Sequence, residues 1–246
     1  MRDSMKTVVI TGASRGIGHQ TVIRFAREGW RVVSCSREDI PAECRVGPVP
    51  HLHIPTDLAD GASIAAFVEA AGREIGDGPV HALVNNAGVS PKTSFKERLG
   101  TLNGSLDHWR QVFELNFFAP LILARGFAAA LHRGQGAIVN VTSIAGHRVH
   151  PFAGSAYACS KAALSALTRE MAVEFAHLDV RVNAVCPGEI ETAMLSPEYE
   201  DLVPRIPIGR MGAPEDVAAT IFYLCGADAG YVTGTEIMIT GGQHLI

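Results

Sequence analysis

The sequence predicts an α/β fold, because short runs rich in β-branched residues alternate with longer alanine-rich segments along all 246 residues. The short runs are apolar throughout rather than alternately apolar and polar. That pattern is typical of strands in a sheet that is covered on both faces. We therefore expect a Rossmann-type, doubly wound parallel sheet of about seven strands, with helices on both faces.

The predicted strands are short runs at 7–10, 31–35, 51–54, 80–84, 137–141, 180–185 and 236–239. The predicted helices cover 16–28, 63–75, 106–131, 155–175 and 214–225. The link over 37–50 carries Pro41, Pro48 and Pro50. Each proline removes a backbone donor and disfavours helix at the preceding residue, so we expect a loop or at most one helical turn there.

Composition excludes several classes of protein. The chain carries 21 Lys and Arg against 25 Asp and Glu, a net charge of −4, whereas nucleic-acid-binding proteins show a basic excess or stripe. Its five cysteines are scattered without a CxxC pair, which argues against a disulfide framework and favours a reducing compartment. No run approaches the roughly 18 apolar residues of a membrane span, or a signal-peptide core near residue 1. We expect a cytoplasmic protein with no membrane or nucleic-acid partner.

We expect a single domain over residues 1–246, because no linker, repeat or low-complexity tract divides the chain. The stretch 189–210 is poorly periodic, and we expect it to act as a lid over a substrate.

A glycine-rich loop, TGASRGIG at 11–18, follows the first predicted strand and opens the first predicted helix. Glycines let a backbone approach a pyrophosphate closely, and the helix N-terminus adds free N–H groups and a positive dipole end. A glycine triad alone also fits a simple strand-to-helix turn, but its place in the first βαβ unit favours dinucleotide binding. The expected contacts come from Gly12, Ser14, Arg15, Gly16, Ile17 and Gly18.

The end of the second predicted strand indicates which cofactor binds. An acidic residue there holds the ribose 2′-hydroxyl of NAD, but this chain has Ser36 followed by Arg37. A small residue followed by an arginine accepts a 2′-phosphate, and Arg15 in the glycine loop is a second cation that could reach it. The alternative is that both arginines are simply solvated. We expect NADP(H), with NAD(H) as the less favoured cofactor.

Tyr157 and Lys161 lie at i and i+4 near the start of the predicted helix 155–175, so their side chains share one helix face. An ammonium beside a phenol favours the phenolate and makes the tyrosine a better acid–base group. Ser143 follows the predicted strand 137–141, at the sheet edge where open α/β folds bind ligands. Such a pair alone is also typical of a packed ring beside a solvated cation, but the serine and the glycine loop favour catalysis.

Together these motifs resemble the short-chain dehydrogenase/reductase family, in its single-domain branch. The matches are the loop 11–18, Asp57, the NNAG run at 85–88, Asn116, Ser143, Tyr157, Lys161, Pro187, Gly188 and Thr192, spread in family order over about residues 7–243. The chain departs from the family in its Ser143–Tyr157 interval, which is one residue longer than the commonest one. That interval contains His147 and His150, which could contact substrate or be solvated.

The resemblance implies a role for each matched residue. Tyr157 would protonate the carbonyl oxygen in reduction and Ser143 would hydrogen-bond it. Lys161 would lower the tyrosine pKa and bind the nicotinamide ribose, while Asn116 would hold a water that links Lys161 to solvent. Around the cofactor, the resemblance implies adenine contact by Asp57, carboxamide contact by Thr192 and further contacts from Leu58, Asn86, Ala87, Gly88, Pro187, Gly188 and Ile190.

The implied function is an NADP(H)-dependent oxidoreductase that acts on a carbonyl or secondary alcohol. The alternative is a non-catalytic nicotinamide-nucleotide-binding protein that senses redox state, although such relatives usually lose the tyrosine or the lysine. An epimerase or dehydratase would resemble longer chains with an added substrate domain. Sugars, polyols, acyl thioesters and steroids all stay open as substrates, because the loops 90–105, 144–154 and 189–210 set specificity.

Two further expectations concern metal and assembly. His51 and His53 have ligand-like spacing but no third ligand in view, so we expect no metal.

The predicted helices 106–131 and 155–175 carry more apolar surface than one sheet contact needs, and relatives usually pair them across a two-fold axis. We expect a homo-oligomer, a tetramer or else a dimer. If every apolar side chain faced the sheet instead, the protein would be a monomer.

Overall fold

The computed structural model describes residues 5–44, 47–92, 98–192 and 197–246. One sheet runs through it, with the strand order β3-β2-β1-β4-β5-β6-β7 and every neighbouring pair parallel. The strands are β1 (Thr7–Thr11), β2 (Arg31–Ser36), β3 (His51–Pro55), β4 (Ala82–Asn85), β5 (Ala137–Val141), β6 (Arg181–Pro187) and β7 (Glu236–Ile239).

Helices cover both faces of this sheet: α1 (Gly16–Arg27), α2 (Gly61–Ile75), α3 (Leu106–Phe113), α4 (Ala119–Gly134), α5 (Ser155–Glu174) and α6 (Pro214–Cys225). On one face, Phe25 of α1 and Ile221 of α6 belong to one buried cluster. On the other, Phe67 of α2 and Phe127 of α4 meet edge to face, with ring centroids 6.1 Å apart. Helices therefore cover both faces of the sheet, which explains why apolar and polar residues do not alternate along the strands. The predicted doubly wound α/β fold is confirmed.

The direction of chain winding reverses at β1. From β1 the chain adds β2 and then β3 on one side, and it next places β4 on the opposite side of β1. The loops after β1 and β4 consequently turn to opposite faces of the sheet and leave a crevice between them. Ligands of open α/β sheets bind at this switch point, outside the carboxyl ends of the strands.

Some helices begin or end at other residues than predicted, because local hydrogen bonds determine where they start and stop. Helix α2 begins at Gly61 rather than at residue 63, because the Asp60 side chain caps it and accepts from the Ala62 and Ser63 amides at 3.3 and 3.0 Å. The 37–50 link contains one short 3-10 helix, Ala42–Cys44, as expected of at most one turn, and residues 45–46 lie outside the described part.

The predicted helix 106–131 is not one regular helix. A π-helical turn, Glu114–Phe118, separates α3 from α4, and the helix continues to Gly134. Short π segments are rare and often mark functional positions. This one places Asn116, which is fully buried, in its middle.

Among the described residues, the stretch 106–134 is long and apolar enough to cross a membrane by length and composition alone. Leu123, Phe127 and Leu131 on α4 are buried in the core that covers the sheet. Packing against the sheet thus explains part of its apolar character, and Phe118 is one apolar side chain that stays 40% exposed.

Candidate functional site

A cavity of about 510 Å³ opens at the carboxyl edge of the sheet, at the crevice between β1 and β4. The structure brings nearly all of the sequence-predicted site residues onto its wall. These are Gly12, Ser14, Arg15, Gly16, Ile17, Ser36, Arg37, Asp57, Leu58, Asn86, Ala87, Gly88, Ser143, Tyr157, Lys161, Pro187, Gly188, Ile190 and Thr192. Gly18 and Asn116 lie behind this wall rather than on it.

The glycine loop forms a cradle that side chains would fill. Gly12 has φ +68°, and its amide donates to the Cys35 carbonyl at 2.8 Å, which ties the loop to the end of β2. A Cβ built at Gly18 would lie 2.1 Å from the Gly12 carbonyl oxygen. Gly18 therefore serves close packing of α1 under the loop, and not direct ligand contact.

The first turn of α1 is an open anion site. The helix begins at Gly16 with no side-chain cap on Arg15 and with no acidic residue in its first turn, all of whose residues are described. Its free N–H groups and positive dipole end therefore have no competing carboxylate within that turn. The pyrophosphate of a dinucleotide fits this arrangement.

Asn86 holds the cradle in place. Its side-chain amide donates to the carbonyl oxygens of Thr11 and Gly12 at 2.9 and 3.1 Å, while Thr11 Oγ1 accepts from the Asn86 and Ala87 amides, both at 3.0 Å. The side-chain N–H groups of Asn86 are therefore engaged with the protein backbone. Its observed contacts position the glycine loop from β4.

The part of the cavity beside the end of β2 carries mixed charge. The Ser36 hydroxyl donates to the Glu38 carbonyl at 2.6 Å, and the exposed side chains of Arg15 and Arg37 both line the wall. Glu38 also lines it, although its position in the sequence gave no reason to place it there. The guanidinium groups of Arg15 and Arg37 thus lie near the Glu38 carboxylate, which would oppose a bound phosphate.

The predicted catalytic side chains converge from two elements. Ser143 follows β5, where its hydroxyl accepts from the Ala145 amide at 3.2 Å, and Tyr157 and Lys161 lie in the first turns of α5. The Lys161 ammonium donates to the Val141 carbonyl at 2.6 Å and lies 5.8 Å from the Tyr157 ring centroid. An acid–base group, a hydrogen-bonding hydroxyl and a cation therefore share one cavity wall.

Burial controls the ionisation of both α5 groups. It raises the pKa of the Tyr157 phenol, while hydrogen bonding with Ser143 lowers it in part. Burial also lowers the pKa of Lys161 to about 8. The direction at Tyr157 is opposite to the one expected from the sequence, because desolvation of the phenolate outweighs other effects. The tyrosine is therefore a protonated acid at neutral pH.

The Asn116 side chain hydrogen-bonds to the backbone of Val89, in the loop after β4. Its side chain accepts from the Val89 amide at 2.9 Å and donates to the Val89 carbonyl at 3.0 Å and the Ser160 hydroxyl at 3.0 Å. A Cβ at Gly88 would lie 3.5 Å from its Oδ1 and 3.3 Å from Lys161 Nζ. The π turn therefore supplies the residue that fixes residues 88–89 beside the lysine.

The sequence gave no prediction for a buried acid on the cavity wall. Glu189 and His150 both line the cavity, 4% and 7% exposed, with the carboxylate 2.7 Å from the imidazole Nε2. The sequence gave His150 only as one of two loop histidines. The sequence position of Glu189, directly after Pro187-Gly188, could have indicated it, because β6 ends there at the carboxyl edge of the sheet. Within the predicted lid 189–210, residues 193–196 lie outside the described part.

A second cluster lies next to these groups. His147, Cys186 and Glu236 place potential metal-ligand atoms within 4.8 Å of one another. The Glu236 carboxylate accepts from the hydroxyls of Thr142 and Ser165 and lies 3.0 Å from His147 Nε2, while burial raises the pKa of the Cys186 thiol to about 12. These contacts account for the carboxylate without an ion. The expected absence of metal stays a prediction.

Comparison with known proteins identifies close relatives. A family model described as enoyl-(acyl carrier protein) reductase matches residues 12–244. Protein FixR of Bradyrhizobium diazoefficiens is 50% identical over 99% of this chain and 88% of its own. An oxidoreductase of the short-chain dehydrogenase/reductase family from Brucella ovis, solved with a partially ordered NAD, is 47% identical with a TM-score of 0.82, over 96% of this chain and all of that one. A candidate NAD(P)-dependent gluconate 5-dehydrogenase from Beutenbergia cavernae, with NADP bound at low occupancy, is 32% identical with a TM-score of 0.87, over 98% and 97%.

Two glycine-to-alanine substitutions in helices should have opposite effects. In Gly18→Ala the new Cβ meets the Gly12 carbonyl, so we expect a loss of about 1–3 kcal/mol or more in the free energy of unfolding. In Gly72→Ala, within α2, the new Cβ has no described atom within 4 Å, and we expect a gain of about 0.5–1 kcal/mol. Chemical denaturation measures both, and equal effects would contradict the packing assigned to Gly18.

Proposed function

Because the chain belongs to the short-chain dehydrogenase/reductase family, we propose that it is an NADP(H)-dependent oxidoreductase that interconverts a carbonyl and a secondary alcohol. One observation carries this proposal. The glycine cradle with its uncapped helix N-terminus lies on the same cavity wall as Ser143, Tyr157 and Lys161. These groups match what reduction of a carbonyl requires: an anion site for a dinucleotide and a proton donor for the oxygen.

The chain's own residues divide the chemistry between them. The nicotinamide, when bound, supplies or accepts the hydride. The Tyr157 phenol gives its proton to the carbonyl oxygen during reduction, and Ser143 donates a hydrogen bond to that oxygen as charge develops. Lys161 holds the ribose hydroxyls, and its positive charge stabilises the phenolate that forms until a proton from solvent restores the phenol. Asn116 positions the loop 88–89 beside Lys161.

The cofactor contacts are proposed as the resemblance implies them. The first-turn amides of α1 hold the pyrophosphate, Asp57 contacts the adenine, and Thr192 fixes the carboxamide. The retained Tyr157 and Lys161 count against the alternative of a non-catalytic redox sensor. We also propose a cytoplasmic, single-domain protein in which the segment 189–210 covers the substrate.

Tyr157→Phe removes the acid–base hydroxyl and leaves the ring. We expect kcat to fall about a hundredfold or more while the Kd for the cofactor changes by less than about twofold. Tyr231→Phe, in a fully exposed side chain, is the matched control and should leave both unchanged. Assays follow absorbance of the reduced cofactor over a panel of ketones and alcohols. Activity in Tyr157→Phe within tenfold of the wild type would mean that another group carries the proton.

Cofactor preference is tested by titrating NADPH and NADH against the full chain in a calorimeter. The guanidinium groups of Arg15 and Arg37 favour the 2′-phosphate, and a charge-assisted contact of this kind is worth about 1.5–3 kcal/mol, or roughly ten- to a hundredfold in affinity. We expect NADPH to bind more tightly. Arg37→Ala should weaken NADPH alone, and Glu38→Gln should strengthen it by removing a repelling carboxylate.

The matched control for Arg37→Ala is Arg73→Ala, which removes a guanidinium from an exposed ion pair with Glu69 on α2, away from the cavity. It should alter neither affinity. NADH binding as tightly as NADPH, or more tightly, would contradict the assignment.

We also propose a homo-oligomer, a tetramer or else a dimer, formed through the segments 106–131 and 155–175. Phe118 in the π turn and Ala162 and Ala166 on α5 are exposed apolar side chains, whereas Phe127 of α4 and Leu164 of α5 are buried in the core. Light scattering should give a multiple of the 26.2 kDa chain mass. A mass of one chain at micromolar concentration would contradict the proposal.

A further inference from the structure

The cavity contains a buried histidine–glutamate pair that the roles above do not use. Glu189 leaves the end of β6 directly after the cofactor residues Pro187 and Gly188, and His150 comes from the loop between Ser143 and Tyr157. Their side chains are 3% and 8% exposed, with Nε2 and Oε1 2.7 Å apart. Burying a carboxylate in this way is costly unless hydrogen bonds or charges compensate it.

The hydrogen bonds fix where the proton lies. The backbone amides of Phe152 and Ala153 both donate to His150 Nδ1, at 3.2 and 3.1 Å, so that nitrogen carries no hydrogen. The imidazole is therefore the neutral tautomer with its hydrogen on Nε2, which donates to Glu189. A hydrogen on Nδ1 would break both backbone hydrogen bonds, so the geometry selects the tautomer that donates to Glu189.

The second oxygen of the carboxylate is left for a ligand. Gln243 Nε2 also donates to Oε1, at 3.1 Å, so both hydrogen bonds converge on one oxygen. Oε2 receives no hydrogen bond from the described residues, while Glu189 lines the cavity. The charge of Glu189 is also near enough to Tyr157 to contribute, after burial, to the raised pKa of the phenol. An unused acceptor thus lies close to the reacting centre.

Aromatic rings and one ammonium group surround this acceptor, with Lys92 Nζ 5.3 Å from the Tyr199 ring centroid. The His150 ring stacks on Tyr199 with centroids 5.8 Å apart and an interplanar angle of 29°, and Phe152 lies 4.8 Å from Tyr199. These ring contacts hold the imidazole, and therefore the carboxylate, in one orientation. A buried acceptor held in place selects strongly for a ligand that can donate to it, because a ligand without a donor leaves that acceptor unpaired.

We propose that Glu189, positioned by His150, binds a hydroxyl group next to the reacting carbonyl, so that the substrates are hydroxylated ketones and the corresponding polyols. This inference rests on the proposed oxidoreductase function. A ketone without the hydroxyl leaves a desolvated carboxylate unsatisfied, and a keto acid places a second negative charge against it. Both should be poor substrates for the same physical reason.

The test compares matched ketones that differ only beside the carbonyl: hydroxyacetone, acetone and pyruvate, together with 1-hydroxy-2-butanone, 2-butanone and 2-oxobutanoate. In the wild type, kcat/KM for the hydroxyketone should exceed that of either partner by ten- to a hundredfold. In Glu189→Gln we expect the amide oxygen to replace Oε1, because His150 and Gln243 both donate hydrogen bonds there. The amide NH₂ group then replaces Oε2. The variant should lose the hydroxyketone preference and gain activity on the keto acids.

Glu191→Gln is the matched control, because it makes the same charge change two residues away on an exposed side chain that does not line the cavity. Cofactor affinity and unfolding temperature show that each variant is folded. The substrate preference of the wild type is measured without any variant, so this part of the test does not depend on how a variant folds. A wild type that uses plain ketones or keto acids as well as hydroxyketones, or an unchanged ratio in folded Glu189→Gln, would overturn the inference. No turnover of any panel ketone or alcohol would instead count against the proposed function itself.

Discussion

The hydrogen bonds between the ends of β1 and β4 are the constraint on which the site depends. The chain winds away from β1 in both directions, so the crevice opens between β1 and β4 at the carboxyl edge of the sheet. Thr11 and Asn86 close the junction through four hydrogen bonds of 2.9–3.1 Å. With the carbonyls of residues 11 and 12 held by Asn86, the first turn of α1 presents its free N–H groups to the cavity. The dinucleotide cradle is thus a consequence of strand order and one amide side chain.

Burial in the cavity wall then determines how the side chains of Tyr157 and Lys161 ionise. Burial raises the pKa of Tyr157 and lowers that of Lys161 to about 8, so neither group ionises as it would in water. Glu189 adds a negative charge on the same wall, which opposes the phenolate and keeps the tyrosine in its acid form. The cation and the carboxylate therefore bias the same phenol in opposite directions. The substrate end is consequently a polar site with a defined sign and orientation rather than an apolar slot.

Features of the fold and the site that depend on local pattern could be predicted from the sequence. The strands, the glycine loop and the Tyr157–Lys161 pair depend on spacing within one or two elements, and the structure places them together. Three features depended on tertiary contacts instead. The π turn at Asn116 forms around backbone groups of residue 89, and Glu38 reaches the wall because the Ser36 hydroxyl turns the chain after β2. Glu189 meets His150 across 39 residues of sequence, which no short-range pattern encodes.

The central claim is that a nicotinamide dinucleotide lies along the carboxyl edge of this sheet, anchored at the first turn of α1. Hydrogen–deuterium exchange on the full chain, with and without saturating NADPH, tests this most directly. We expect slower exchange at the amides of residues 14–18 and 86–88, and unchanged exchange at the α2 amides of residues 69–73. Unchanged exchange at 14–18 under saturating NADPH, or protection confined to another surface, would contradict it.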